Sequence, residues 1–93
     1  MEYTWDINKN ALLKKHRGIS FEEILQCVSE KKILDILEHP NQEKYPKQRI
    51  MVVECGGYAF HVPYVENEKG RFLKTIIPSR KSTRKYLEEN YET

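Results

Sequence analysis

At 93 residues the chain is short enough to predict one domain with one hydrophobic core, spanning residues 1–93. Hydrophobic residues make up 39% and charged residues 32% of the sequence, a balance that suits a globular domain better than a disordered tail. The formal net charge of +2 is too small to indicate a class of partner. Because it contains no long apolar run and no signal peptide, the sequence predicts a cytoplasmic protein without membrane contact.

The N-terminal residues predict a short strand followed by a capped helix. Residues 3–5 are strand-like, and the Asp6 carboxylate can accept from the free backbone N–H groups of a helix over about residues 7–17. Gly18 suits the left-handed position that follows a helix end.

A second helix is predicted immediately afterwards. Ser20 and Glu23 have the spacing of a capping box, in which each side chain bonds a backbone N–H of the first turn. The apolar residues that follow recur at i, i+3, i+4 and i+7 and form one stripe: Phe21, Ile24, Leu25 and Val28. Such a stripe indicates a helix that packs against a sheet.

Four further stretches predict strands: residues 33–37, 49–55, 58–65 and 71–77. Gly56 and Gly57 supply the positive φ angles of a tight hairpin turn, and Pro78 ends the last strand because it lacks an N–H. A final helix is predicted from Ser79 or Ser82 to about Asn90. This order predicts an α+β fold, with two N-terminal helices and a C-terminal helix on one face of a four-stranded, mainly antiparallel sheet.

The sequence contains no pattern that would hold a metal or cofactor. Cys27 and Cys55 lack CxxC spacing, His16 and His39 lack metal-ligand spacing, and no phosphate-binding or nucleotide fingerprint is present. The chain is therefore predicted to need no cofactor. Its two cysteines are interpreted as reduced packing residues.

Positive charge is concentrated around the last predicted strand and helix. Between residues 70 and 85 there are six basic residues and no acidic one: Arg71, Lys74, Arg80, Lys81, Arg84 and Lys85. Arg80 and Arg84 are four apart and should project from one helix face, with Lys81 and Lys85 in a neighbouring row. Guanidinium groups near a helix N-terminus suit a phosphate, whereas a merely solvated basic face is the alternative.

Three other side chains each allow a structural and a functional interpretation. Lys74 interrupts an apolar strand face, so it either extends to the sheet edge or reaches into the anion site. His61 is either a half-buried strand residue or a general base. Tyr64 is either a core aromatic or a surface on which an RNA base stacks.

Two segments resemble the BrnT family of toxins. Near the N-terminus the resemblance is carried by Trp5-Asp6, Lys9-Asn10, Leu13, Lys15-His16 and residues 18–23. Near the C-terminus, a strand that leads into Pro78-Ser79-Arg80-Lys81 and then Thr83-Arg84 is similar to the family's closing strand and the segment before its last helix.

The resemblance implies a RelE-like fold and a ribonuclease toxin of a type II toxin–antitoxin system, held inactive by a cognate antitoxin of the ribbon-helix-helix type. A homodimer or a toxin–antitoxin heterotetramer is compatible with it. RNA cleavage would need no metal, because a ribose 2′-oxygen attacks the adjacent phosphate while cations stabilise the developing charge. The predicted catalytic residues are Lys74, Arg80, Arg84 and His61, and the predicted RNA contacts are Arg49, Tyr64, Arg71, Lys81 and Lys85.

Two alternatives use the same basic face. One is a non-catalytic nucleic-acid-binding module, which would bind in a salt-sensitive way without cleaving. The other is a protein-interaction domain that docks onto an acidic partner segment.

Overall fold

The structure is a computed structural model that describes residues 1–88. In chain order its elements are β1 (Glu2–Trp5), α1 (Ile7–Arg17), α2 (Phe21–Ser29), β2 (Ile33–Glu38), β3 (Gln48–Cys55), β4 (Tyr58–Glu66), β5 (Gly70–Leu73), β6 (Ile77–Pro78), α3 (Arg80–Thr83) and a π-helical turn (Arg84–Glu88). The predicted α+β class is confirmed. The predicted end of the last helix at Asn90 lies outside the described residues.

Local capping signals place both N-terminal helices where the sequence predicts them. The Asp6 carboxylate accepts from the backbone N–H groups of Asn8 and Lys9, at 2.8 and 3.1 Å. Gly18 has φ 66° at the end of α1, and the Ser20 hydroxyl accepts from the Glu23 N–H at the start of α2. These bonds satisfy backbone donors that a helix end leaves free.

The sheet has six strands in the described chain, not the predicted four. Its order is β1-β5-β4-β3-β2, with β6 also paired to β4. The β3–β4 hairpin is antiparallel as predicted, with φ 62° and 81° at Gly56 and Gly57. The extra strands are β1, which pairs in parallel with β5, and β6.

The predicted strand over residues 71–77 is split into β5 and β6, and Pro63 of β4 explains the split. The Lys74 N–H donates to the Pro63 carbonyl, but Pro63 has no N–H to return a bond on that side. The chain leaves the ladder there and Ile76 enters the core. Pairing resumes in β6, whose last residue is Pro78 opposite Phe60, so the last strand ends at Pro78 as predicted.

One face of the sheet, which we call the core face, is covered by α1 and α2. Met51, Val53, Val62 and Leu73 from the sheet are at most 1% exposed and join one cluster with residues of both helices, including Phe21. Side chains alternate between faces along a strand, so His61 and Ala59 point to the other face.

The last helix lies on the face opposite to the core face. The Ser82 side chain of α3 contacts the His61 side chain, and the following turn reaches Asp35, which pairs with Val52 on that same face. The prediction that all helices share one face is therefore wrong. The short β6 strand delivers the chain to the far side of β4 before α3 begins.

Cys27 and Cys55 form a disulfide, which corrects their interpretation as reduced packing residues. Cys27 lies on α2 and Cys55 ends β3, and α2 packs across β3 so that the two side chains meet. The 28-residue separation has no motif because the packing of α2 on the sheet sets the pairing.

None of the helices in residues 1–88 combines the length and the apolar character needed to cross a bilayer.

Candidate nucleic-acid interface

Four cations project from the last helical segment into solvent. Arg80, Lys81, Arg84 and Lys85 are all exposed and together line one surface depression. Their positions i, i+1, i+4 and i+5 give them one helix face. We call this set the α3 cationic row, and it brings together four of the predicted site residues.

The inner face of the same helix anchors it to the sheet. The Thr83 hydroxyl accepts from the Ala59 N–H and donates to the Ser79 carbonyl, both at 2.8 Å. The Ser82 hydroxyl lies 2.7 Å from His61 Nε2, and Ser82 and Thr83 are both buried. Buried hydrogen bonds of this kind hold the helix so that its cations face outward.

Farther along, the Tyr86 hydroxyl donates to Asp35 Oδ2 at 2.6 Å. That hydrogen bond is the main reason why the pKa of Asp35 is lowered, followed by the Ile36 N–H and, more weakly, by the charge of Lys85. Sequence reasoning missed Asp35 as an anchor because its partner lies 51 residues away.

Within residues 1–88 the α3 cationic row takes part in no ion pair. The ion pairs there are Lys14–Glu22, Lys32–Glu30 and Arg71–Glu66, none of which includes a residue of the row. Exposed cations without carboxylate partners can be satisfied by an external anion.

His61 lies beneath α3, on the inner side of the helix. It is half-buried, and burial lowers the pKa of its imidazole because the charged form loses hydration. Ser82 occupies Nε2, so Nδ1 is the ring nitrogen left for a further partner. The structure therefore places His61 and the cationic row on opposite sides of one short helix.

We expect the lowered pKa of His61 to make the fold less stable in mild acid. The unfolded chain binds a proton near the ordinary pKa of 6.5 while the folded chain resists it, so the free energy of unfolding should fall as pH drops below about 6.5. Urea denaturation of wild type and His61→Gln between pH 7.5 and 5.5 measures this. The variant should lose less stability over that range, and an equally steep loss would contradict the assignment.

Lys74 lies on the same sheet face as α3 but not in its depression. Its Nζ is 5.7 Å from the ring centroid of Phe72, which pairs with Val65 on the face of His61. Lys74 is exposed and does not line the depression of the cationic row. The structure therefore does not place Lys74 in the depression that Arg80 lines.

Arg71 and Tyr64 lie on the core face, where their side chains contact other residues of the fold. The Arg71 Nε donates to Glu66 at 2.9 Å, and its guanidinium lies 4.8 Å from the Tyr64 ring centroid. Tyr64 is 1% exposed, so no base can stack on its ring and that prediction is wrong. Arg71 forms an ion pair with Glu66. Arg49 is exposed and lies opposite Tyr64 in the β3–β4 pairing, so it is on the core face and not on the face of α3.

No protein-family model, curated protein or solved structure matches this chain.

Proposed function

We propose that this chain is an RNA-binding ribonuclease of the BrnT toxin type, whose α3 cationic row binds backbone phosphates. The observation that carries the proposal is the set of exposed cations on one helix face that form no ion pair with any of residues 1–88. Phosphate contacts supply most of the sequence-independent affinity for nucleic acid, and arginine forks match phosphate oxygens. The resemblance at both ends of the chain adds the toxin assignment.

The proposed cleavage is attack of a ribose 2′-oxygen on the adjacent phosphorus, with release of the 5′-oxygen of the next nucleotide. Arg80 and Arg84 would stabilise the negative charge on the phosphoryl oxygens. Because His61 lies on the other side of α3 from Arg80 and Arg84, it would not reach the same phosphate, and the 2′-hydroxyl proton would pass to water. Lys74, which lies on the same face, would hold a flanking phosphate.

A cognate ribbon-helix-helix antitoxin and a cytoplasmic location belong to the same proposal. The antitoxin would neutralise the toxin by covering the α3 cationic row, which is exposed in the isolated chain. Acidic side chains are the natural complement of such a row.

The second candidate is a non-catalytic RNA-binding module. It is favoured by the position of His61 beneath α3 while the cations face solvent, because binding needs no proton transfer. Salt-sensitive RNA binding without cleavage products would select this candidate.

Purified protein incubated with single-stranded RNA in EDTA tests the proposal. We expect products that end in 2′,3′-cyclic phosphate, and a rate about 10²–10³-fold lower for Arg80→Ala, the usual cost of removing one charge-stabilising donor. The thermal melt of that variant should be unchanged because Arg80 is exposed and bonds no other described side chain.

The matched control is Lys15→Ala, an exposed cation on α1. If Lys15→Ala loses as much activity as Arg80→Ala, the site assignment fails. If wild-type protein binds RNA and yields no products, the ribonuclease proposal fails and the binding module remains.

A further inference from the structure

A separate polar pocket lies where β2, β3 and β4 meet the 39–47 loop. It has a volume of about 310 Å³, and its lining includes Glu38, Gln42, Lys47, Gln48, Arg49 and Tyr64. Glu38, Arg49 and Tyr64 stand opposite one another across the three strands, on the core face and away from α3. We call it the β2–β4 pocket, and its volume falls at the low end of the about 300–1,000 Å³ typical of small-molecule sites.

The charges of this pocket favour an anionic ligand. Lys47 and Arg49 belong to none of the ion pairs in residues 1–88. The carboxylate of Glu66, which also lines the pocket, is paired with Arg71 at 2.9 Å. Among the lining residues, Glu38 is therefore the carboxylate without an ion pair in residues 1–88. Two unpaired cations against one such carboxylate suit an anion that also carries a hydrogen-bond donor.

One of the residues that line the pocket carries a buried polar atom without a partner. The Tyr64 hydroxyl is the single buried side-chain oxygen or nitrogen of residues 1–88 that lacks a hydrogen-bond partner. Buried hydroxyl groups are rarely left unpaired, because the loss of hydration is then uncompensated. Tyr64 lines the pocket, so this uncompensated polar group belongs to a residue next to the proposed site.

The uncharged lining supplies groups that can read a base. The Gln42 amide already donates one N–H to the His39 carbonyl and keeps its oxygen as an acceptor. The Gln48 amide offers a donor and an acceptor, and the Glu38 carboxylate can accept from an exocyclic amine. A ribonucleotide combines a phosphate for Arg49 and Lys47 with a base edge for the amides and Glu38. An inorganic anion would leave the amides and the carboxylate without a role.

We propose that the β2–β4 pocket binds one ribonucleotide, with its phosphate held by Arg49 and Lys47 and its base read by Gln42, Gln48 and Glu38. The nucleotide is either free or one unit of an RNA chain. The RNA case rests on the proposed function, in which the pocket would set base preference, whereas the free nucleotide does not require it.

Titration of the ¹⁵N-labelled chain with each 5′-ribonucleoside monophosphate, followed by amide chemical shifts, tests the inference. We expect saturable shifts concentrated in residues 38–49, with one base preferred. Arg49→Gln should weaken binding about tenfold or more, as the loss of a charge-assisted hydrogen bond does. Lys15→Gln is the matched control and should bind as wild type does.

Three results would overturn the inference: no saturable shifts, inorganic phosphate bound as tightly as the nucleotides, or Arg49→Gln with wild-type affinity. A parallel titration with a non-cleavable tetranucleotide distinguishes a free nucleotide from one unit of an RNA chain. If the tetranucleotide binds more tightly than the monophosphate, the ligand is a unit of RNA. If the two bind equally tightly, the ligand is a free nucleotide. Mononucleotide binding by a protein that fails to cleave RNA would remove the ribonuclease proposal and leave the pocket. RNA cleavage without mononucleotide binding would overturn the inference about the pocket and leave the ribonuclease proposal standing.

Discussion

Replacing the whole α3 cationic row by glutamine is expected to abolish most of the affinity for single-stranded RNA. Each phosphate contact contributes a slope of about −0.7 to the dependence of log K on log salt, so four lost contacts should reduce the slope by about 3. At 0.1 M salt this corresponds to binding roughly 10²–10³-fold weaker. Fluorescence anisotropy with a labelled oligonucleotide over a range of salt concentrations measures both quantities.

The fold should survive this replacement because all four side chains are exposed, while Ser82 and Thr83 keep the inner anchors of the helix. The control is a protein in which four exposed lysines elsewhere are changed to glutamine, so that the change in net charge is identical: Lys14, Lys15, Lys44 and Lys69. If the control loses as much RNA affinity, then the net charge sets the affinity and the position of the cations on α3 does not. That result would remove the structural basis of the proposed function.

Opening the Cys27–Cys55 disulfide is expected to have the largest effect on stability. The bond closes a 28-residue separation, and cross-links of that span stabilise a fold by about 3–4 kcal/mol, mainly by restricting the unfolded chain. For a domain of this size, the melting temperature should fall by about 10–25 °C. Urea denaturation with and without dithiothreitol measures the difference in free energy of unfolding.

The matched control is Cys27→Ala/Cys55→Ala, which should resemble the reduced wild type and should not respond to dithiothreitol. Alkylation of the unfolded, unreduced protein followed by mass measurement checks the bond directly. Two alkylated thiols in protein purified under oxidising conditions would contradict the pairing. A reducing compartment would keep this bond open. The cellular location therefore determines whether the free energy of unfolding of the oxidised or of the reduced protein applies in the cell.

The residues that carry the N-terminal resemblance act mainly in packing. The Trp5 and Phe21 rings stack with centroids 5.5 Å apart. The Asn10 side chain accepts from the Phe21 N–H at 2.8 Å and donates to Glu22 at 2.7 Å, which joins α1 to the first turn of α2. This segment therefore indicates how the two helices sit together. It says less about chemistry than the cations near the C-terminus do.

Sequence reasoning succeeded where a structural feature depends on neighbours in the chain. The caps at Asp6 and Ser20, the left-handed Gly18 and the Gly56-Gly57 hairpin each need only a few adjacent residues, and all four are confirmed. The outward face of the α3 cationic row follows from helical periodicity in the same way.

Tertiary structure decided the features that depend on contacts between distant segments. The disulfide, the parallel pairing of β1 with β5, and the position of α3 opposite the core face bring together residues far apart in the chain. It also separated Arg49, Tyr64 and Arg71 from the cationic row, because alternate strand positions face opposite sides of a sheet. By itself the sequence determined the local elements and the clustered charge, since both depend on adjacent residues. Only packing decided which charged groups share a surface, because strand pairing sets the face and the neighbours of every side chain.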